Sequence, residues 1–232
     1  MSYKIYLTIS IKELCAVRFT ERFQNPNLME TTLQSSTRLH LYRTKGLELF
    51  CKNGYFTTSL EDLCANLSLS KSSFIDNFTS KEDFFIGIVQ NLLLQQTLKL
   101  LIEPVAYMQS PFPLMLDMFE IELDKTIINK NDQGFILGNF ITEFNNRNTR
   151  VNKYLMDVLK IWEINIVSLL RKGQLDGYVK REIDCTGAAN HIISSYMGTR
   201  TLMVDGNSRL LADQFLQQLR YYFYSLSSAY TI

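Results

Sequence analysis

The stretch from Arg38 to Phe85 constrains the fold most, because three helical patterns follow one another there with a turn signal at each junction. Gly54-Tyr55 closes the first, Thr57-Thr58-Ser59 opens the second, and Ser70-Lys71-Ser72-Ser73 opens the third. Leu60, Leu63, Cys64 and Leu67 share one face of the second helix, while Phe74 and Phe78 give the third a matching face. Packing those faces together leaves the rest of the third helix outward, as in a helix-turn-helix DNA reader. The first helix is predicted over about Arg38 to Lys52, with Leu39, Tyr42, Leu49 and Phe50 inward and Gly54 as its C′ residue. Thr58-x-x-Glu61 is predicted as a capping box, Ser70 as the cap of the third helix, and Ser80 as the cap of a fourth, with Asp83 three residues on.

The run Leu47-Glu48-Leu49-Phe50, Asn53-Gly54-Tyr55, Thr58-Ser59, Asp62-Leu63, Ser70-Lys71, Phe78 and Ser80-Lys81-Glu82 resembles the amino-terminal signature of the TetR family of transcriptional repressors, with no insertion or deletion between landmarks. The resemblance implies an all-α fold, in which a three-helix DNA-binding domain is joined by a long helix to a helical ligand-binding and dimerisation domain. Three positions depart from the family pattern. Ser68 stands where a glycine usually makes the interhelical turn, Ser72 replaces a second small glycine position, and Ile75 replaces a tyrosine that commonly touches a phosphate. Ile75 must instead pack or touch an apolar base edge, and Asp76 beside it is acidic.

A recognition helix needs short donors for phosphates at its start and base-reading side chains along its outer face. Ser70 to Asn77 meets that description. Lys71 supplies charge, Ser72 and Ser73 allow close approach, Ile75 stands in the frame, and Asn77 can pair with adenine in the major groove. Thr57, Thr58 and Ser59 offer hydroxyls and helix-start amides to a second phosphate, although plain capping explains them equally. Lys81 matches a family lysine that touches the DNA backbone.

The charge balance gives little support to this reading. The 232-residue chain has a formal net charge of +1, so any field that attracts DNA must be local. Between Arg38 and Glu82, six bases (Arg38, Arg43, Lys45, Lys52, Lys71, Lys81) face five acids (Glu48, Glu61, Asp62, Asp76, Glu82). The apolar share of 46% and charged share of 20% are those of a globular protein with a sizeable core. Cysteines 15, 51, 64 and 185, with only His40 and His191, fit no zinc template. Cys64 reads as a small buried hydrophobe, and Cys185 leaves a thiol switch open.

Residues 1–36 precede the resemblance. Ile5, Leu7, Ile9 and Ile11 repeat with period two, Glu13 to Phe23 is weakly helical, and Asn25-Pro26-Asn27 is expected to break that pattern. Either translation starts at Met29 or the extension is genuine. The DNA-binding domain is expected over 37–82 and the ligand-binding and dimerisation domain over 83–232. A long helix from Ser80 to about Ile102 joins them, ended by Glu103-Pro104 because the residue before a proline avoids the helical region. Its apolar stretch from Phe84 is broken by Gln90, Asn91, Gln95, Gln96 and Lys99, so no membrane span is expected. A cytoplasmic protein is expected. Further helices are predicted at about Phe112 to Asn129, Gly134 to Asn145, Val151 to Gln174, Cys185 to Met203 and Ser208 to Ser225.

The stretch Gly134 to Phe140, followed by Trp162-Glu163, Gly177 and Asp184, resembles the regulatory half of one TetR subgroup. An apolar pocket with a few polar anchors is expected there, drawn from Phe119, Asn139, Glu143, Trp162, His191 and Tyr196. The last two helices carry Ile192, Tyr196, Phe215, Leu219 and Tyr222, which the resemblance assigns to a homodimer interface. The sequence is therefore read as a homodimeric, ligand-responsive transcriptional regulator, a repressor that leaves its double-stranded DNA operator when a small apolar or amphipathic effector binds. The alternative is a helical interaction protein of the same fold that has lost operator binding. No nucleophile elbow, phosphate loop or catalytic pair points to an enzyme, and no cofactor is expected.

Overall fold

The computed structural model describes residues 26–105, 111–128, 134–203 and 208–228. The period-two patch at 5–11 and the weak helix at 13–23 lie outside them. Helix α1 spans Pro26–Asn53, well ahead of the expected start at Arg38. Pro26, expected to break structure, instead opens the helix. Proline suits a first helical position, where its missing N–H would be unsatisfied and its φ is already helical. Residues 43–232 form one compact unit that begins inside α1.

Helices α2 (Leu60–Leu67) and α3 (Lys71–Phe78) follow as expected. Helix α4 runs over Lys81–Ile102 and is not uniform. It is α-helical to Ile88, widens to π over Val89–Leu93, returns to α over Leu94–Thr97, and widens again over Leu98–Ile102. At the wide turns the Leu94 amide donates to the Val89 carbonyl and the Glu103 amide to the Leu98 carbonyl. The helix ends at the expected place by another route. Glu103 keeps helical angles (φ −56°, ψ −40°), and the chain leaves through a 3-10 turn, Glu103–Val105.

Helices α5 (Pro111–Ile128), α6 (Ile136–Phe144), α7 (Thr149–Asp176), α8 (Cys185–Leu202) and α9 (Ser208–Leu226) complete the fold. The described residues contain no strand, only an isolated bridge between Val179 and Ser227. The fold is all-α, as expected.

Phe119, Leu123, Trp162, Leu170, Ala189, Ile192 and Phe223 are buried together where α5, α7, α8 and α9 meet. A second core is almost wholly aromatic. Phe85 of α4 lies 5.4 Å from Phe50 of α1, 5.1 Å from Tyr55, and 4.9 Å from both Phe140 and Phe144 of α6 (ring centroids). Each such ring, fully buried, contributes roughly 1.5–3 kcal/mol. Helices α1, α4 and α6 therefore share one core. Among the described helices α4 alone is long and apolar enough to cross a membrane, yet half of that window is buried inside the chain, as in the core helix of a globular protein.

Candidate nucleic-acid interface and effector core

The α2–α3 pair is built by capping. Ser59 and Asp62 form a reciprocal capping box: the Ser59 hydroxyl accepts from the Asp62 amide at 3.0 Å, and the Asp62 carboxylate accepts from the Ser59 amide at 3.0 Å. The expected Thr58/Glu61 box is one residue out of register. Thr58 is buried, 1% exposed, and its hydroxyl donates inward to the Gly54 carbonyl at 2.7 Å, so it has no surface to offer a phosphate. Thr57 is exposed and donates to the Asn53 carbonyl. Gly54 closes α1 at φ +83°, a conformation that glycine takes readily. At the α2–α3 turn Ser68 adopts φ 55°, ψ 43°, and the Leu69 amide donates back to the Cys64 carbonyl at 3.0 Å. The turn keeps its left-handed shape without the usual glycine.

Helix α3 starts at Ser70, whose hydroxyl accepts from the Ser73 amide at 3.1 Å. Phe74 and Phe78 are buried and sit 5.5 and 4.7 Å from Phe84 of α4, which fixes the orientation of α3. Lys71, Ser72, Ile75, Asp76 and Asn77 are exposed, and Ser73 is half-buried. Lys71 pairs with Glu61 at 3.1 Å, with both side chains largely in solvent. That pair is worth about 0–1 kcal/mol and opens readily. The Asn77 amide nitrogen donates to the Ser73 carbonyl at 2.7 Å, so its oxygen is the freer end.

Lys81 differs from the expectation. Its ammonium donates to the Tyr55 carbonyl at 2.7 Å and to the Thr58 carbonyl, and it lies 4.1 Å from the centre of the Tyr55 ring. Burial pulls its pKa below the ordinary lysine value. It ties the α1–α2 turn to the start of α4, and a backbone phosphate would have to compete with two carbonyls for it.

The same turn is held from the other side by α6. The Glu143 carboxylate accepts from the Tyr55 amide at 2.8 Å and the Phe56 amide at 3.2 Å. Arg147 lies over the Phe56 ring at 5.0 Å. Asn148 caps α7 through its oxygen at Val151 and donates through its nitrogen to Glu82 at 2.6 Å. Arg150 reaches both Glu82 and Asp83 at 2.7 Å. Hydrogen bonds from Ser80 and then Arg150 hold the Asp83 carboxyl below its usual range, and burial pushes the Tyr55 phenol up to about 12. The fourth helix is therefore joined by a second link between the α1–α2 turn and the rest of the chain. Local sequence patterns carry no sign of this link, because Glu143 and Tyr55 are 88 residues apart.

The six expected ligand residues do not converge. Phe119, Trp162 and Tyr196 do meet: Tyr196 lies 4.9 Å from Phe119 and 5.9 Å from Trp162. Phe135 and Phe215 complete that aromatic group. Among the described residues nothing partners the fully buried indole N–H of Trp162, an arrangement that costs roughly 1–3 kcal/mol. Asn139 and Glu143 instead line a pocket of about 110 Å³ with Phe50, Cys51, Gly54, Ile136 and Phe140. His191 is exposed and packs against Tyr222, with the rings tilted at 56° and their centroids 4.4 Å apart. Phe135 follows the expected Gly134 helix start, and as one aromatic among many it carries no sequence signal that marks it out.

The expected dimer residues need a similar correction. Ile192, Tyr196, Phe215 and Leu219 are buried within their own chain, so they have almost no surface left for a partner. Tyr222 is half-buried. On α8 and α9 the exposed apolar side chains are Leu202, Leu210, Tyr221 and Tyr224. Cys64 and Cys185 are buried, and burial raises the pKa of both thiols. Cys51 is pushed up to about 11, chiefly by burial and then by Glu48 and Glu143. Such thiols stay protonated at neutral pH and react slowly.

No family model matches the chain. It is 26% identical over 190 residues to the HTH-type transcriptional repressor DhaR of Mycobacterium sp. (strain GP1), covering 79% of this chain and 90% of that protein. Solved structures share the fold. A TetR transcriptional regulator of Chloroflexus aurantiacus superposes with a TM-score of 0.70 at 18% identity, covering 84% of this chain and 98% of that one. A TetR-family regulator of Cytophaga hutchinsonii gives 0.67 at 20% identity, with 83% and 95% covered. These relatives are transcriptional regulators rather than enzymes.

Proposed function

We propose that this chain, which has the fold of the TetR-family transcriptional regulators and a repressor among its relatives, binds operator DNA as a homodimer and releases it when a small apolar or amphipathic effector binds. The observation that carries the reading is α3. It is an eight-residue helix fixed by Phe74 and Phe78 on Phe84, with Lys71, Ser72, Asp76 and Asn77 in solvent. Such a helix is positioned for a major groove. Effector response is supported by the group Phe119, Phe135, Trp162, Tyr196 and Phe215, where the Trp162 N–H, which has no partner among the described residues, would meet an acceptor on a bound molecule. Dimerisation is assigned to the outer faces of α8 and α9, with Leu202, Leu210, Tyr221 and Tyr224 in place of the buried residues. The expected location is the cytoplasm, where the DNA is.

A second reading has support from α3 itself. Asp76 is exposed on the reading helix, Ile75 replaces the phosphate-touching tyrosine, and Lys81 is engaged within the chain. These features fit a protein of the same fold that no longer binds an operator. Fluorescence anisotropy with a duplex from upstream of its own reading frame separates the two. The regulator reading requires saturable, salt-sensitive binding that a scrambled duplex does not match. Equal binding of both duplexes would favour the second reading.

A further inference from the structure

The geometry of α3 points to a specific base readout, and we infer that Asp76 accepts a hydrogen bond from a cytosine and Ile75 packs on a thymine methyl in each operator half-site; this inference rests on the operator-binding reading above. Phe74 and Phe78 define the packed side of α3. At about 100° per residue, Asp76 lies opposite that side with Ser72 and Ser73 on either hand, Ile75 and Asn77 stand at the two edges of the outer face, and Lys71 lies nearest the packed face. The apex that enters a groove is thus a carboxylate between small hydroxyls. Among the described residues nothing pairs with the Asp76 carboxylate, whereas Lys71 has Glu61 and Asn77 has the Ser73 carbonyl.

An ionised carboxylate only accepts hydrogen bonds. Near phosphates it is tolerated only where a base edge supplies a donor. The major groove offers two such donors, cytosine N4 and adenine N6, and adenine sets the acceptor N7 beside its donor. That acceptor would face the second carboxylate oxygen and repel it, so cytosine is the better partner. Ile75, 42% exposed, has no polar atom, and the apolar group that the groove presents is the C5-methyl of thymine. The same acid opposes binding to DNA that offers it no donor, so Asp76 raises specificity at the expense of general affinity.

The test is selection from a random-sequence duplex pool with the full-length parent, Asp76→Ala and Ile75→Ala. Both positions are exposed, and circular dichroism checks that the variants fold. The parent should enrich a cytosine at one position of each half-site. Asp76→Ala should lose about tenfold preference there, keep the other positions, and bind unrelated duplexes more tightly than the parent. Replacing the selected thymine by deoxyuridine should weaken the parent about fourfold, the value of one methyl group, and leave Ile75→Ala unaffected. If Asp76→Ala selects the parent's motif unchanged, the inference is overturned while operator binding stands. If the parent enriches no sequence, both fail.

Discussion

Removing the Glu143 carboxylate should loosen the α1–α2 turn without touching any residue of the exposed face of α3. Its two bonds are unequal. The Tyr55 amide is part-buried at 2.8 Å, while the Phe56 amide is exposed at 3.2 Å and can turn to water. The loss is therefore set mainly by one charge-assisted bond, about 1.5–3 kcal/mol for Glu143→Ala. Glu143→Gln keeps an oxygen acceptor at the same place and should lose no more than about 1 kcal/mol. For a chain of this size 1 kcal/mol moves Tm by about 2–4 °C, so Glu143→Ala should fall roughly 3–12 °C below the parent. Thermal unfolding followed by circular dichroism measures this, and amide hydrogen exchange locates it. Exchange at Tyr55 should accelerate in Glu143→Ala and stay near the parent rate in Glu143→Gln. A Tm within about 1 °C of the parent for Glu143→Ala, or equal damage from both variants, would refute the idea that this carboxylate holds the turn.

Three further outcomes follow from single contacts. Ser68 takes a left-handed conformation that disfavours any side chain, so Ser68→Gly should stabilise the protein by about 0.5–1 kcal/mol, read as a higher Tm. Lys71→Ala should reduce the salt slope of DNA binding by about one unit, whereas Lys81→Ala should leave the slope alone and lower Tm, because its ammonium serves the Tyr55 and Thr58 carbonyls. Asp83 is held below its usual pKa by Ser80 and Arg150, so its contribution is fully present above the ordinary carboxylate range and is lost as pH falls through the depressed value. Arg150→Ala should therefore be less stable than the parent at pH 7, with the gap narrowing on acidification; urea unfolding at several pH values checks this.

The parts legible in the sequence were those set by neighbours in the chain. Ser70 and Ser80 cap where their spacing says they should, and Gly54 takes the positive φ expected of it. The capping box slipped by one residue because Thr58-Ser59 and Glu61-Asp62 place two acceptable pairs in tandem, and the choice is made by the buried bond from Thr58 to the Gly54 carbonyl. Contacts between distant segments were not legible. Glu143 fits a ligand anchor by sequence alone, since nothing local distinguishes a carboxylate that grips a remote turn from one that only faces a pocket. The resemblance assigns Ile192, Tyr196, Phe215 and Leu219 to a partner, but a large apolar side chain on α8 or α9 can equally face the chain's own core, and these four do.

Nuclease footprinting of the upstream duplex with increasing protein is the most direct measurement of the central claim. The account predicts two protected half-sites whose centres lie about 34–36 Å apart or a multiple of that, filled together by two chains per duplex and vacated as salt rises. Uniform weak protection along the duplex, matched by an unrelated sequence at the same protein concentration, would contradict it.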